Sequence, residues 1–199
     1  DHGLGRPIIG ELDLIRQFGP TDLSSFLTSH YTGSRAVVTV LGPQDHEALA
    51  KAGSVFELLP GGAPVHLDPV PTLNRSIQVV VEHDHRSQCD CRLTFRTPGR
   101  GDALSPALSM LRAALDDGFA SRMHRRLGTE LGLAYDQWTL WETYPDAGLF
   151  ELGAVVTEGK VLTFFQETVA ILQGLAQSPP SGRELERIRF RARFAMESV

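Results

Sequence analysis

His83 and His85 flank an aspartate in His83-Asp84-His85. At a strand end, two histidines at i and i+2 share a face and could offer two zinc ligands. No third ligand follows at a convincing spacing, so a polar hairpin turn is the better reading. His2, His30, His46, His66 and His124 are scattered and form no ligand set. Cys89 and Cys91 stand two residues apart in QCDCRLTFR. On a strand that spacing is roughly 7 Å, too far for a disulfide, which leaves two small core side chains as the reading. Arg122, His124, Arg125 and Arg126 form a basic cluster that invites phosphate, yet no aromatic interleaving or wider basic field supports nucleic acid. The arginines of RELERIRFRARF alternate with acids at helical spacing and read as a solvated helix face. Nucleophile elbow, phosphate loop, dinucleotide fingerprint, H-E-x-x-H and H-x-x-E-H are all missing from these residues.

Composition sets the frame for these residues. With 42% hydrophobic and 22% charged residues, the 199-residue chain is long enough to bury a core and ordinary for a globular protein. A net charge of −5 gives no general attraction to nucleic acid or anionic membrane. The apolar runs are a few residues long, too short to span a bilayer.

The periodicities predict the elements. ELDLIRQF and TDLSSFLTSHY read as amphipathic helices, AVVTVLG (36–42) as a strand, and residues 45–58 as a helix. PGGAPVHLDPVPTL (60–73) has four prolines, two glycines and no period, which predicts a linker. Beyond it, SIQVVVE and QCDCRLTFR read as strands, the second with Cys89, Cys91, Leu93 and Phe95 on one face. A helix with Ser105 as N-cap and Pro106 at its first position follows, carrying Leu108, Leu111 and Leu115 on one face. SRMHRRLGTELG is a basic helix. AYDQWTLWE and GLFELGAVV are strands around the turn TYPDAG. A helix over 160–176 buries Val161, Phe165, Val169 and Leu172. The last helix opens with the capping box Ser181 to Glu184. The order ββααββαα predicts an α+β unit, an antiparallel sheet with helices on one face, preceded by the tail of a similar unit.

Two passages together resemble a known family. HGLGRPIIGELDLIRQFGPTDLSSFLTSHYTGSRAVVTVLG and ASRMHRRLGTELGLAYDQWTLWETYPDAGLFELGA are similar, in order and motif, to the pitrilysin/insulinase zinc peptidases, which include mitochondrial processing peptidase. The resemblance covers almost the entire chain and implies α+β half-units around a chamber. In that family the first half-unit carries an inverted zinc motif. A tyrosine and an arginine spaced R-x-x-x-x-x-x-Y in the second hold the carbonyl of the scissile peptide. The resemblance therefore implies that residues 1–59 are the end of the zinc-bearing half-unit, 60–73 the linker, and 74–199 a second half-unit shortened at its C-terminus.

On this reading the zinc and its ligands lie upstream of residue 1, in the full-length protein or on a partner, and the chain by itself carries no catalytic or metal residue. Tyr135 matches the family tyrosine, on a strand face shared with Gln137, Thr139 and Trp141. Gly128 stands where the family arginine belongs; Arg125 and Arg126, on a different part of the helix, could reach around but lack the set direction that a bidentate hold on a carbonyl needs. Two functions remain open. The chain is a portion of a zinc metalloendopeptidase, contributing chamber wall and substrate carbonyl binding and inactive alone. Otherwise it is a non-catalytic scaffold or peptide-binding subunit. Either way the expected partners are a peptide substrate and another family subunit, in a homo- or heterodimer, with no nucleic acid or membrane. The composition points to a bacterial source, cytoplasmic or periplasmic.

Overall fold

The computed structural model describes every residue except 1, 44, 65, 67, 72–75, 83–86 and 198–199, together with the side chains of 195 and 196. The possible metal turn at His83 and His85 lies outside the described residues. The chain divides into two compact units, Asp1–Leu73 and Asn74–Val199.

The first unit is helical. It contains α1 (Leu12–Ile15), α2 (Pro20–His30) and α3 (His46–Gly53), with α3 continued by a 3₁₀ turn over Ser54–Leu58. Helix α2 starts at Pro20, where the missing N–H costs nothing, and the Asp22 carboxylate accepts the Gly19 N–H at 2.8 Å. The expected strand 36–42 is extended backbone without a partner strand, and Val37 and Leu41 are exposed. A strand needs a neighbour for its ladder, and none is offered among the described residues. Thr32 alone among those described in this unit is buried.

The second unit is built on an antiparallel sheet of β1 (Gln88–Thr97), β2 (Gln137–Thr143) and β3 (Gly148–Thr157), in the order β1-β3-β2. The alternation in β1 seats Cys89, Cys91 and Leu93 inward, while Phe95 is exposed at the strand's far end. Cys91 pairs with Ala154 and Leu93 with Leu152; on the other side Thr139 pairs with Leu152 and Trp141 with Phe150. That face is covered by α4 (Ser105–Leu115), a π-helix (His124–Glu130) and α5 (Val161–Gln177), so that Leu115, Met123, Leu127 and Phe164 complete the core. Helix α6 (Gly182–Glu197) lies against α4. Both cysteines are free thiols and serve as packing residues.

Four local expectations change. SIQVVVE forms no strand among its described residues: Ile77, Val79, Val80 and Val81 are exposed, without the neighbour that would pair them. Leu104, not Ser105, occupies the N-cap of α4, because the Ser105 hydroxyl donates to Arg100 O at 3.2 Å while Asp102 accepts the Leu104 N–H at 2.8 Å. Helix α5 turns Phe164 and Thr168 inward rather than Val169, since the phase that seats Phe165 and Leu172 against the sheet places position 168 beneath them. Half of the capping box forms, with Glu184 N donating to Ser181 Oγ at 3.3 Å; the Glu184 carboxylate is engaged by Arg122 instead.

Candidate functional site

Tyr135 is positioned by the turn that joins the π-helix to β2. The helix closes on a wide turn, Leu131 N donating to Arg126 O at 3.2 Å. Gly132 then takes φ +53, the left-handed conformation that terminates helices at low cost in glycine. Leu133 and Ala134 are buried, and both donate to Leu127 O, at 2.8 and 3.4 Å. On the other side Asp136 O accepts Val155 N at 3.0 Å. The backbone on both sides of Tyr135 is thus fixed, yet its side chain is fully exposed, at 100%. Strand β2 begins only at Gln137, so Tyr135 precedes the strand and does not pack on the face of Gln137, Thr139 and Trp141. A cavity of about 330 Å³ opens beside it, lined by Gln88, Leu133, Ala134, Asp136 and the strand end Val155–Thr157.

Gly128 lies within the π-helix, facing the same turn. A Cβ there would meet His124 Nδ1 at 3.4 Å, Gln137 Nε2 at 3.6 Å and Ala134 O at 3.7 Å. A Cβ at this position therefore stands at ordinary contact distances, next to the strand entry that carries Tyr135. The neighbouring polar groups are His124 and Gln137, which pair with each other, and Phe119 stacks on the imidazole at 4.7 Å. Gln137 Oε1 is buried and finds no partner among the described residues. The sequence gives no hint of this pair, thirteen positions apart.

Arg125 and Arg126, the arginines nearest Gly128 in the helix, are engaged elsewhere. Arg126 is held bidentately by Glu167 of α5, at 2.8 and 3.1 Å, and also donates to Glu130 at 3.1 Å. Arg125 faces Glu130 at 3.3 Å. Their guanidiniums are committed to carboxylates, and fork geometry makes such commitments directional. The alternating charges of α6 are also more engaged than a solvated face. Arg122 is bidentate to Glu184 at 3.0 Å on both arms, and Arg191 meets Asp117 at 3.0 Å.

The described residues contain no cluster of three or more histidine, cysteine, aspartate or glutamate side chains able to hold a metal.

A three-stranded antiparallel sheet with helices on one face defines an α+β unit. Residues 17–191 match the family described as the Peptidase M16 inactive domain, and the chain belongs to that family. It is 30% identical over 181 residues to an "uncharacterized zinc protease" of Mycobacterium leprae, a match covering 88% of this chain and 40% of the relative. Among solved structures it superposes on a protease from Helicobacter pylori with TM-score 0.81 and 22% identity, over 96% of this chain and 47% of that one. It superposes on a peptidase M16 inactive domain from Pseudomonas fluorescens with TM-score 0.79 and 18% identity, over 94% and 46%. The chain thus spans less than half the length of the relatives it matches. No helix among the described residues is long and apolar enough to cross a membrane.

Proposed function

We propose that this chain is part of a zinc metalloendopeptidase. Its residues 74–199 form a half-unit that walls the substrate chamber, and residues 1–59 end the zinc-bearing half-unit across the linker 60–73. Tyr135 binds the substrate, donating its hydroxyl to the carbonyl oxygen of the peptide bond under attack. The observation that carries this reading is a phenol fully exposed on a fixed backbone. Burying a phenol's apolar body is the ordinary fate of tyrosine in a fold, and this one forgoes it. A donor aimed where charge develops in the transition state contributes through its placement, with no reorganisation at the moment of reaction. The chain alone is inert. Zinc belongs to residues of the full-length protein or a partner beyond those described, and another family subunit completes the enzyme as a homo- or heterodimer. The bacterial relatives fit a bacterial enzyme.

The test is Tyr135→Phe in the full-length protein. Tyr135 is fully exposed and its hydroxyl has no hydrogen bond among the described residues, so thermal stability should be unchanged. Peptidase kcat/KM should fall about 100-fold, the usual consequence of losing one oxyanion donor. An unaltered kcat/KM refutes the role.

Gly128 favours a second reading, a non-catalytic scaffold or peptide-binding subunit, because half of the carbonyl grip has no side chain. The two part on one experiment. The full-length protein is assayed with and without a second family subunit, as wild type and as Gly128→Arg. Hydrolysis that appears with the subunit, or rises with the restored arginine, supports the enzyme. Peptide binding without hydrolysis in all four cases supports the scaffold.

A further inference from the structure

A cleft of about 1020 Å³ lies between the segment Ala120–Arg126, α5 and the start of α6, on the helical layer and away from Tyr135. Five guanidiniums line it, those of Arg122, Arg125, Arg126, Arg183 and Arg187, against only two carboxylates, Glu167 and Glu184. The whole chain carries a net charge of −5, so this concentration of positive charge is local and runs against the overall balance.

The charges are not evenly neutralised. Glu184 is consumed by Arg122, and Glu167 by Arg126. Glu130, just outside the cleft, serves Arg125. Two guanidiniums remain in excess. Arg183 is exposed and finds no partner among the described residues. Arg187 donates through Nη1 to Asp117 O at 3.3 Å, but its Nη2 is buried with no partner among the described residues. A buried donor left unsatisfied costs free energy that an arriving acceptor would recover.

We propose that this cleft binds an extended acidic peptide segment, with carboxylates on alternate residues received by Arg183 and Arg187. The two arginines stand at i and i+4 on α6, neighbours on one helix face about 6 Å apart. Alternate side chains of an extended chain project from the same side roughly 7 Å apart, so a Glu-x-Glu sequence matches the pair. The opposite wall permits close approach: Ala170 and Gly174 of α5 are small, and a Cβ at Gly174 would meet nothing within 4 Å. A peptide backbone can therefore lie along α5 while its carboxylates reach α6. This proposal is independent of the carbonyl-binding role of Tyr135.

The experiment uses the full-length protein and a fluorescein-labelled peptide of alternating glycine and glutamate, followed by fluorescence anisotropy. The same peptide with every glutamate replaced by glutamine is the comparison. Saturable binding of the glutamate peptide alone is expected, weakened about tenfold by Arg183→Glu and reduced as salt rises. Arg183 is exposed and has no hydrogen bond or ion pair among the described residues, so this variant should fold as the wild type. Arg16→Glu, an exposed arginine of the first unit, should leave binding unchanged. The proposal is overturned by no binding below about 1 mM, by equal binding of the glutamine peptide, or by an equal loss in Arg16→Glu. Tripolyphosphate binding that the peptide fails to displace would also overturn it, assigning the cleft to small phosphates.

Discussion

Gly153 is the centre of a three-residue arrangement on the sheet face opposite the helices, and its substitution by alanine gives a demanding test of the fold. It pairs with Trp138 of β2 on one side and Arg92 of β1 on the other. The Trp138 indole lies across it: an added Cβ would stand 2.7 Å from Nε1 and closer still to the ring carbons. Strand β3 is paired on both sides and cannot withdraw, so the indole must move. Moving it breaks the hydrogen bond from Trp138 Nε1 to Glu151 Oε1, 2.9 Å long, on a carboxylate that is only 6% exposed. It also removes the ring from Arg92, whose guanidinium carbon lies 5.7 Å from the centroid. A hydrogen bond to a charged group contributes about 1.5–3 kcal/mol. A partly exposed cation–π contact adds about 0.5–1 kcal/mol. Alanine recovers about 0.5–1 kcal/mol of backbone entropy relative to glycine. The net cost of Gly153→Ala is therefore about 1–3.5 kcal/mol, centred near 2. With a urea m-value near 2 kcal/mol/M, the unfolding midpoint should fall by about 1 M, read by tryptophan fluorescence. In a Trp138→Leu background, where no indole is displaced, the same substitution should cost less than about 0.5 kcal/mol. An equal cost in both backgrounds refutes the reasoning.

Two further outcomes follow from charge and burial. The Arg122 guanidinium, bonded to both oxygens of Glu184, holds that carboxyl below its ordinary value of 4.5. A depressed folded pKa means the unfolded chain takes up the proton first. The stabilisation is complete above the ordinary value and is lost as pH falls through the folded one. Glu184→Gln should lower stability at neutral pH and flatten its decline between about pH 5 and pH 3; parallel pH profiles for wild type and variant count against the pair. Burial, and then the charges of Cys89 and Asp90, push the Cys91 thiol above 9.0, so it stays protonated and inaccessible near neutrality. Mass-mapped alkylation should modify Cys91 only after denaturant is added; rapid native labelling contradicts its place in the core.

Much of the second unit was legible because its signals are local. Alternation placed Cys89, Cys91 and Leu93 on the inner face of β1, and the turn residues of TYPDAG separated β2 from β3. The family resemblance rested on the same kind of signal, motifs in order along the chain. Expectations failed where an element depends on a neighbour. AVVTVLG and SIQVVVE have the residues of strands, but a ladder requires a second strand, and no periodicity reports whether one is present. The site divides in the same way. Tyr135 and Gly128 stand out as residues in the sequence, while the exposure of the phenol does not.

The sequence by itself determined that residues 88–97, 137–143 and 148–157 become strands and that the cysteines would pack rather than bond, since these follow from side-chain period and covalent reach. Only the tertiary structure decided that β3 lies at the centre, that Gly153 must be a glycine beneath Trp138, and that Arg122 and Arg126 are engaged by Glu184 and Glu167, 62 and 41 positions away. These depend on distances between segments remote in sequence, set by the packing of whole helices on the sheet. Spacing along the chain carries no record of them.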